Sequence, residues 1–131
     1  MTGGPRRLSA LIVDDHEDSR AALAILLQLR GVDVRTARDG EEAWREIVAA
    51  PPDLILCDLT MPNLDGFGLA RRLRADSRLG GIVTIAVSAL GAPRDLVATR
   101  EAGFDGHVVK PITEEAFVRL LERTRSTGPA P

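Results

Sequence analysis

The stretch Leu54-Ile55-Leu56-Cys57-Asp58 places four apolar residues in a row and ends on a carboxylate. A short apolar run of this kind is typical of a strand that is buried on both faces, as in parallel sheets covered by helices. A structural carboxylate has little reason to follow such a strand directly. Asp58 is therefore the first candidate for a functional residue.

Similar short runs recur along the chain and alternate with segments of helical periodicity. The other predicted strands are 8–13, 32–36, 82–87 and 107–109. The predicted helices are 18–30, 40–49, 65–75, one from Pro93 to Gly103, and one that Thr113 caps and that carries Phe117, Leu120 and Leu121. This alternation predicts a single α/β domain, a doubly wound (βα)5 flavodoxin-like fold with a parallel five-stranded sheet of order 2-1-3-4-5. We expect the domain to span 8–125, with flexible ends at 1–7 and 126–131.

The helical patterns also predict which faces are buried. In 18–30 we expect one face to hold a set of apolar residues, namely Ala22, Ile25, Leu26 and Leu29. In 40–49 we expect Ala43, Ile47 and Val48 to lie together. Both expectations rest on residues that recur every three or four positions.

Composition excludes several classes of protein. The chain has 131 residues, 44% of them hydrophobic and 27% charged, with a net charge of −2. This balance is typical of a soluble domain and lacks the basic footprint of general nucleic-acid binding. No apolar stretch approaches the length of a membrane span. A single cysteine, Cys57, forms no internal disulfide and suits a reducing cytosol, so we expect a cytoplasmic protein and a buried, inert thiol.

Polar residues follow four of the five predicted strands. Asp14 and Asp15 come after the first strand, Asp58 after the third, Ser88 after the fourth and Lys110 after the fifth. Ligands of open parallel sheets bind beyond the carboxyl ends of the strands. We therefore expect these side chains to converge at one edge of the sheet.

The three aspartates suggest a metal site. Carboxylates held close together repel one another and would raise their own pKa values, and a divalent cation would relieve that repulsion. An all-oxygen ligand set with room for water favours Mg²⁺ over zinc. The competing interpretation is that Asp14 and Asp15 serve the start of the first helix, but Asp18 is already placed to cap it.

The remaining polar residues suit phosphoryl transfer. A carboxylate beside Mg²⁺ can act as a nucleophile toward a phosphoryl group, which makes Asp58 the candidate acceptor. Lys110 is the only lysine among seventeen basic residues, and its compact ammonium would neutralise a phosphoryl oxygen. The Ser88 hydroxyl would donate a hydrogen bond to another oxygen.

These residues resemble the receiver domain of bacterial response regulators. The resemblance rests on Leu11-Ile-Val-Asp14-Asp15, on 53–66 with Asp58 followed by Met61-Pro62-Asn-Leu-Asp65-Gly66, on Val87-Ser88-Ala89 and on Gly106-His-Val-Val-Lys110-Pro111. It covers about residues 8 to 125. The Met-Pro-x-x-Asp-Gly signature and the Lys-Pro pair are its most specific parts.

The resemblance implies roles for individual residues. Asp58 would receive the phosphoryl group from a phosphohistidine of a histidine kinase or of a histidine phosphotransfer protein. Asp15 would bind Mg²⁺ directly, Asp14 would act largely through water, and the Thr60 carbonyl would be a further ligand. Ser88 and Lys110 would contact the phosphoryl group. The chain would be a signalling phosphoacceptor that catalyses only its own phosphorylation and dephosphorylation.

One position departs from the family pattern. Family members usually have tyrosine or phenylalanine three residues before the lysine, where the ring takes part in switching, and this chain has His107 there. Its ring is planar but polar at both nitrogens. An exposed histidine at the strand edge and a histidine that acts as part of the switch both stay open.

The resemblance also implies how the signal leaves the domain. The expected contact face comprises the fourth helix, fifth strand and fifth helix, with Arg94, Arg100, Arg119 and Arg123. We expect a protein partner there, no direct contact with nucleic acid or membrane, and a monomer or weak homodimer. The alternatives are a docking-only pseudo-receiver, a phosphohydrolase with an aspartate nucleophile, and a flavodoxin-like binding module.

Overall fold

The computed structural model describes residues 7–59, 66–88, 93–110 and 112–126. At 88, 93–95 and 125–126 it describes the backbone only. The strands are β1 (Ser9–Val13), β2 (Asp33–Ala37), β3 (Leu54–Asp58), β4 (Val83–Ser88) and β5 (Gly106–Val109). The helices are α1 (Glu17–Leu29), α2 (Gly40–Ala49), α3 (Gly66–Arg74), α4 (Pro93–Ala102) and α5 (Glu114–Ser126), with a short 3-10 turn at Ser77–Leu79.

The five strands form one parallel sheet in the order β2-β1-β3-β4-β5, which confirms the predicted architecture. Each predicted strand boundary lies within one residue of the observed one. The register aligns the carboxyl ends of neighbouring strands, since Val13 pairs with Cys57, Asp58 with Val87, and Ser88 with Val109. Residues that come directly after these strands therefore meet at one edge.

Two apolar cores cover the two faces of the sheet. Alternate residues of each strand point to opposite faces, so β3 directs Ile55 and Cys57 into one core and Leu54 and Leu56 into the other. The first core is completed mainly by α2, α3 and the end of α4, and the second by α1 and α5. All five residues of β3 are buried, as its uninterrupted apolar sequence predicts.

Several helix boundaries agree with the predicted signals. Pro93 is the first residue of α4, and Gly103 follows its last residue with a φ of +111° that favours glycine. The hydroxyl of Thr113 accepts a hydrogen bond from the backbone N–H of Ala116, at 3.1 Å, and so caps α5. The Asp39 carboxylate caps α2 in the same way, accepting from the N–H of Glu42.

The predicted buried face of α1 is wrong. Leu23 and Leu27 are the buried residues of this helix, whereas all four predicted residues, Ala22, Ile25, Leu26 and Leu29, are exposed. Apolar side chains surround α1 over much of its circumference, so spacing alone allows more than one face. Contact with the second core selects the face that holds Leu23 and Leu27. Val48 of α2 is likewise exposed, although Ala43 and Ile47 are buried as predicted.

The predicted flexible ends fall largely outside the described residues. Arg7, the first described residue, donates a hydrogen bond to the Gly31 carbonyl at 3.1 Å and pairs with Asp33. At the other end, α5 continues to Ser126. Within the described ranges, no helix has the length and apolar content needed to cross a membrane.

Candidate functional site

The carboxyl edge of the sheet collects the predicted site residues. Asp14 directly follows β1, Asp58 is the last residue of β3, and Lys110 directly follows β5. Asp14 and Asp58 are 1% and 7% exposed, which is unusual for carboxylates and indicates a specific environment. The backbone of β4 reaches the same edge at Ser88, which pairs with Val109.

Four side chains at this edge could share a cation. Asp14, Asp15, His16 and Asp58 each offer one ligand atom, and these atoms all lie within 4.8 Å of one another. Asp14 and Asp58 are buried, while Asp15 and His16 are open to solvent. The three predicted acidic residues are therefore brought together, and a histidine joins them.

Lys110 reaches into the same cluster. Its Nζ lies 3.2 Å from Oδ2 of Asp14 and 3.2 Å from Oγ of Ser19, and its side chain is 29% exposed. The ammonium thus bridges a carboxylate after β1 and a hydroxyl in the first turn of α1. A compact amine with three donors suits such a shared position better than a planar guanidinium.

The Asp14 carboxyl has a pKa below its ordinary value of 3.8. Burial raises this pKa, but hydrogen bonds from the His16 backbone N–H, the Ser19 hydroxyl and the Lys110 ammonium, with the attraction to Lys110, lower it more. The expectation that repulsion among the aspartates would raise their pKa values is therefore wrong for Asp14. The lysine already supplies positive charge at this carboxylate.

The start of α1 differs from the predicted one. His16 is the N-cap residue, without a side-chain capping bond, and Asp18 lies inside the first turn. The expectation that Asp18 caps the helix is wrong. Instead, Oδ1 of Asp14 accepts a hydrogen bond from the His16 N–H at 2.9 Å, which holds the carboxylate against the turn.

Three residues of the site were missed by sequence reasoning. Ser19 bonds to Asp14 and Lys110, Arg20 donates to the Asp14 carbonyl at 2.8 Å, and His16 joins the acidic cluster. Only their position in the sequence could have indicated a role in the site. They lie in or next to the first turn of the helix that follows β1, and that turn lies over the carboxyl edge of the sheet. That signal is weak without the actual path of the turn.

Close backbone packing joins β3 to α3 beside the acceptor candidate. A Cβ atom at Gly66 would lie 2.4 Å from the Asp58 carbonyl oxygen and 2.9 Å from Cα of Leu59. These contacts are with backbone, which has little freedom to move away. Glycine is therefore required for α3 to begin this close to the end of β3.

His107 is less open than the strand-edge interpretation predicts. The residue is partly exposed, but both of its ring nitrogens are buried. It lines one groove with Arg119 and Arg123 of α5 and another with Leu96 and Thr99 of α4. The expectation of an exposed histidine is wrong for the ring nitrogens, and its part in switching stays a prediction.

Some predicted site features lie outside the described residues. These are the whole of Thr60 and Pro111 and the side chains of Ser88 and Arg94. The predicted roles of the Thr60 carbonyl and the Ser88 hydroxyl therefore stay predictions.

Comparison with known proteins assigns the family. Residues 10–122 match the family described as response regulator receiver domain. This chain belongs to that family. The receiver domain is 42% identical over 119 residues to the gliding motility regulatory protein of Myxococcus xanthus, covering 90% of this chain and 15% of that protein. It is 35% identical over 122 residues to the DNA-binding dual master transcriptional regulator RpaA of Synechocystis, covering 92% of this chain and 51% of that protein.

A solved structure supports the same assignment. The signal receiver domain of a signal transduction histidine kinase from Syntrophus aciditrophicus matches this receiver domain with a TM-score of 0.86 at 31% identity. The match covers 95% of this chain and 94% of that one. The predicted family and fold are both confirmed. The chain spans 15% to 52% of the length of the first curated relatives it matches.

Proposed function

We propose that this receiver domain accepts a phosphoryl group on Asp58 in a two-component or phosphorelay system. The observation that carries the proposal is the position of Lys110, whose Nζ bonds to Asp14 at the sheet edge where Asp58 is buried. Three aspartates and one lysine supply a nucleophile, a cation site and a counter-charge. Phosphoryl transfer by positioning and electrostatics needs those components.

The donor would be a phosphohistidine of a histidine kinase or of a histidine phosphotransfer protein. A carboxylate oxygen of Asp58 attacks phosphorus, an O–P bond forms, and the P–N bond to the donor imidazole breaks. The electron pair of that bond returns to the imidazole, and Asp58 becomes an acyl phosphate. Water later attacks this phosphorus and restores the carboxylate with release of inorganic phosphate.

Asp14, Asp15 and Asp58 would hold a divalent cation. Their carboxylate oxygens lie close enough to share one ion, and oxygen ligands fit Mg²⁺. In keeping with the family pattern, the Thr60 carbonyl would add a ligand. When bound, Mg²⁺ supplies charge neutralisation between the acceptor carboxylate and the phosphoryl oxygens.

Lys110 and Ser88 would connect phosphorylation to a change of conformation. Lys110 contacts Asp14 and Ser19 in the described structure, and a phosphoryl group on Asp58 would compete for its ammonium. The Ser88 hydroxyl would donate to another phosphoryl oxygen. His107, in the neighbouring strand β5, would occupy the place of the family's switch aromatic.

The output would be a protein contact on the face of α4, β5 and α5. This face exposes Leu96, Val97 and Val109, which are 40%, 53% and 44% exposed, together with Arg100 and Arg119. A mixed apolar and basic surface suits a protein partner. We propose a cytoplasmic domain that is a monomer or weak homodimer and contacts neither nucleic acid nor membrane directly.

The test is phosphorylation by acetyl phosphate with Mg²⁺, with detection by intact mass. We expect one phosphate adduct on the unmodified protein and none on Asp58→Asn. Glu115→Gln, which alters an exposed carboxylate of α5, serves as the matched control and should keep the adduct.

The outcomes separate the alternatives. Absence of an adduct on the folded, unmodified protein would favour the docking-only pseudo-receiver. Continuous hydrolysis of an unrelated phosphate ester would favour a phosphohydrolase. A bound chromophore in the purified protein would favour a flavin-binding module.

A further inference from the structure

His16 is a cation ligand candidate that the proposed phosphorylation does not use. Its side chain is 72% exposed, and Nδ1 lies 3.1 Å from Oδ1 of Asp15 and 3.4 Å from Oδ1 of Asp14. The imidazole therefore stands at the open side of the acidic cluster. Together, His16, Asp14, Asp15 and Asp58 offer a mixed nitrogen and oxygen set.

The spacing of these atoms matches adjacent positions around one ion. Ligands at about 2.1 Å from an octahedral cation are separated by about 3.0 Å when they occupy neighbouring positions. The Nδ1 atom of His16 and Oδ1 of Asp15 are 3.1 Å apart, close to that value. A cation could thus bind both atoms with little movement of either side chain.

Backbone contacts hold the Cα of His16 next to the acidic cluster. The His16 N–H donates to Oδ1 of Asp14 at 2.9 Å, and His16 adopts an extended conformation as the N-cap of α1. The His16 side chain makes no capping hydrogen bond, so capping does not turn its ring toward the helix. Nδ1 of His16 can therefore stay where it is, 3.1 Å from Oδ1 of Asp15, when a cation binds.

The ligand chemistry distinguishes between cations. Mg²⁺ prefers oxygen ligands and gains little from an imidazole. Imidazole nitrogen suits zinc, copper, iron and nickel, and the affinity of a nitrogen and oxygen site rises from manganese through cobalt to copper and falls again at zinc. A histidine beside three carboxylates should therefore alter which cation the site prefers. A neutral imidazole leaves the overall charge of the site unchanged.

We propose that His16 is a fourth protein ligand that raises the affinity of this pocket for a first-row transition cation, such as Co²⁺ or Zn²⁺, relative to its affinity for Mg²⁺. Asp14, Asp15 and Asp58 serve both kinds of cation, and His16 adds its nitrogen only to the transition ion. This inference rests on the proposed function to the extent that both require the acidic pocket to be a metal site.

The test compares Co²⁺ and Mg²⁺ binding to the full chain at one fixed pH. Co²⁺ binding is measured by its visible absorption, and Mg²⁺ binding by its displacement of Co²⁺. We expect His16→Gln to reduce the ratio of Co²⁺ to Mg²⁺ affinity by about 10- to 100-fold, as loss of a metal-site partner typically does. His107→Gln, which alters the second of the two histidines, should leave the ratio within about twofold.

A second measurement identifies the ligand directly. Co²⁺ is paramagnetic, so the imidazole proton signals of a coordinating His16 should shift or broaden at stoichiometric metal, whereas those of His107 should change much less. Circular dichroism of both variants checks that the fold is retained. An unchanged affinity ratio in folded His16→Gln would overturn the inference, leaving His16 as an ion-pair partner of Asp15 only.

The inference and the proposed function can fail separately. If the unmodified protein forms the phosphate adduct but the affinity ratio is independent of His16, only the inference is wrong. If no adduct forms but selectivity depends on His16, the pocket is a metal site without phosphoacceptor activity.

Discussion

Arginine and lysine have different positions in this molecule. Several arginines bind backbone carbonyl oxygens: Arg20 bonds to Asp14, Arg35 to Glu46 and Ala50, and Arg74 to Gly80 and Gly103. Their planar guanidinium groups each carry five N–H donors, and they stabilise the ends of helices and loops by bonding to these carbonyl oxygens. Lys110 is the only lysine in the sequence, and it lies at the acidic cluster. The choice between the two residue types thus depends on local geometry.

Lys110→Arg should impair phosphorylation-dependent switching more than folding. The ammonium fits within 3.2 Å of both Asp14 and Ser19, and the longer guanidinium would displace one of these contacts. We expect the free energy of unfolding to change by about 1 kcal/mol or less, because Lys110 is partly exposed. The phosphorylation-dependent change in amide chemical shifts should be largely lost.

Arg119→Lys, on the exposed side of α5, is the matched control for a change of basic residue. It should retain both the phosphate adduct and the amide shifts. A Lys110→Arg variant that reproduces the full set of shifts at equal phosphate incorporation would contradict the prediction.

At the scale of residues, the sequence predicts the site residues at strand ends better than those in the turn before α1. Asp14, Asp58 and Lys110 were predictable because the carboxyl ends of parallel strands share one edge. Ser19 and His16 were not, since their contacts depend on the path of the chain from β1 into α1. The lowered pKa of Asp14 depends on the same contacts.

At the scale of elements, helical periodicity can allow more than one buried face for a helix. The place where the helix packs on the sheet then decides which face is buried. The bounds of α4 and the cap of α5 agree with the sequence-based prediction. Proline at the first helical position, glycine after the last and threonine at the N-cap each follow from local backbone stereochemistry and hydrogen bonding. The buried face of α1 has no such local signal. Leu23 and Leu27 face inward because α1 packs on the side of the sheet that holds the second core.

The junction between β3 and α3 gives a prediction at this scale. Gly66→Ala would place a methyl group 2.4 Å from the Asp58 carbonyl oxygen, so the backbone must shift. We expect a loss of about 1–3 kcal/mol in the free energy of unfolding, as for other overpacked sites. Urea unfolding monitored by circular dichroism measures it.

Gly81→Ala provides the control, because a Cβ atom there meets nothing within 4 Å. Its free energy of unfolding should stay within about 0.5 kcal/mol of the unmodified protein. Equal stability of the two variants would show that β3 and α3 can separate without cost.

At the scale of the whole molecule, the two cores share the three central strands β1, β3 and β4. β3 contributes to both of them, and its neighbours β1 and β4 are also nearly fully buried. The apolar runs in the sequence were sufficient to predict this arrangement, since they leave no polar face for any of the three strands. The edge strands β2 and β5 are more exposed, and their patterns were correspondingly less uniform.

Cys57 should report the opening of both cores. Its side chain is 0% exposed within β3, so a thiol reagent cannot reach it without separation of the sheet from its helices. We expect labelling of the native protein to be slower than labelling of the urea-unfolded chain by about a thousandfold or more, in line with ordinary domain stability. The rate is measured with a chromogenic thiol reagent at increasing urea.

The labelling rate should rise in parallel with the fraction of unfolded protein. Rapid labelling of Cys57 in the absence of urea, with unchanged circular dichroism, would instead reveal a local opening of β3.

The position of Lys110 has a consequence for covalent chemistry. Because this sequence contains one lysine, any reagent or modifying enzyme that targets ε-amines acts on this chain only at the acidic cluster. Acetylation there would remove the charged ammonium that bonds to the Asp14 carboxylate. Reductive methylation with an isotopic label would keep that charge and place labelled methyl groups on the Lys110 Nζ, which lies 3.2 Å from Oδ2 of Asp14.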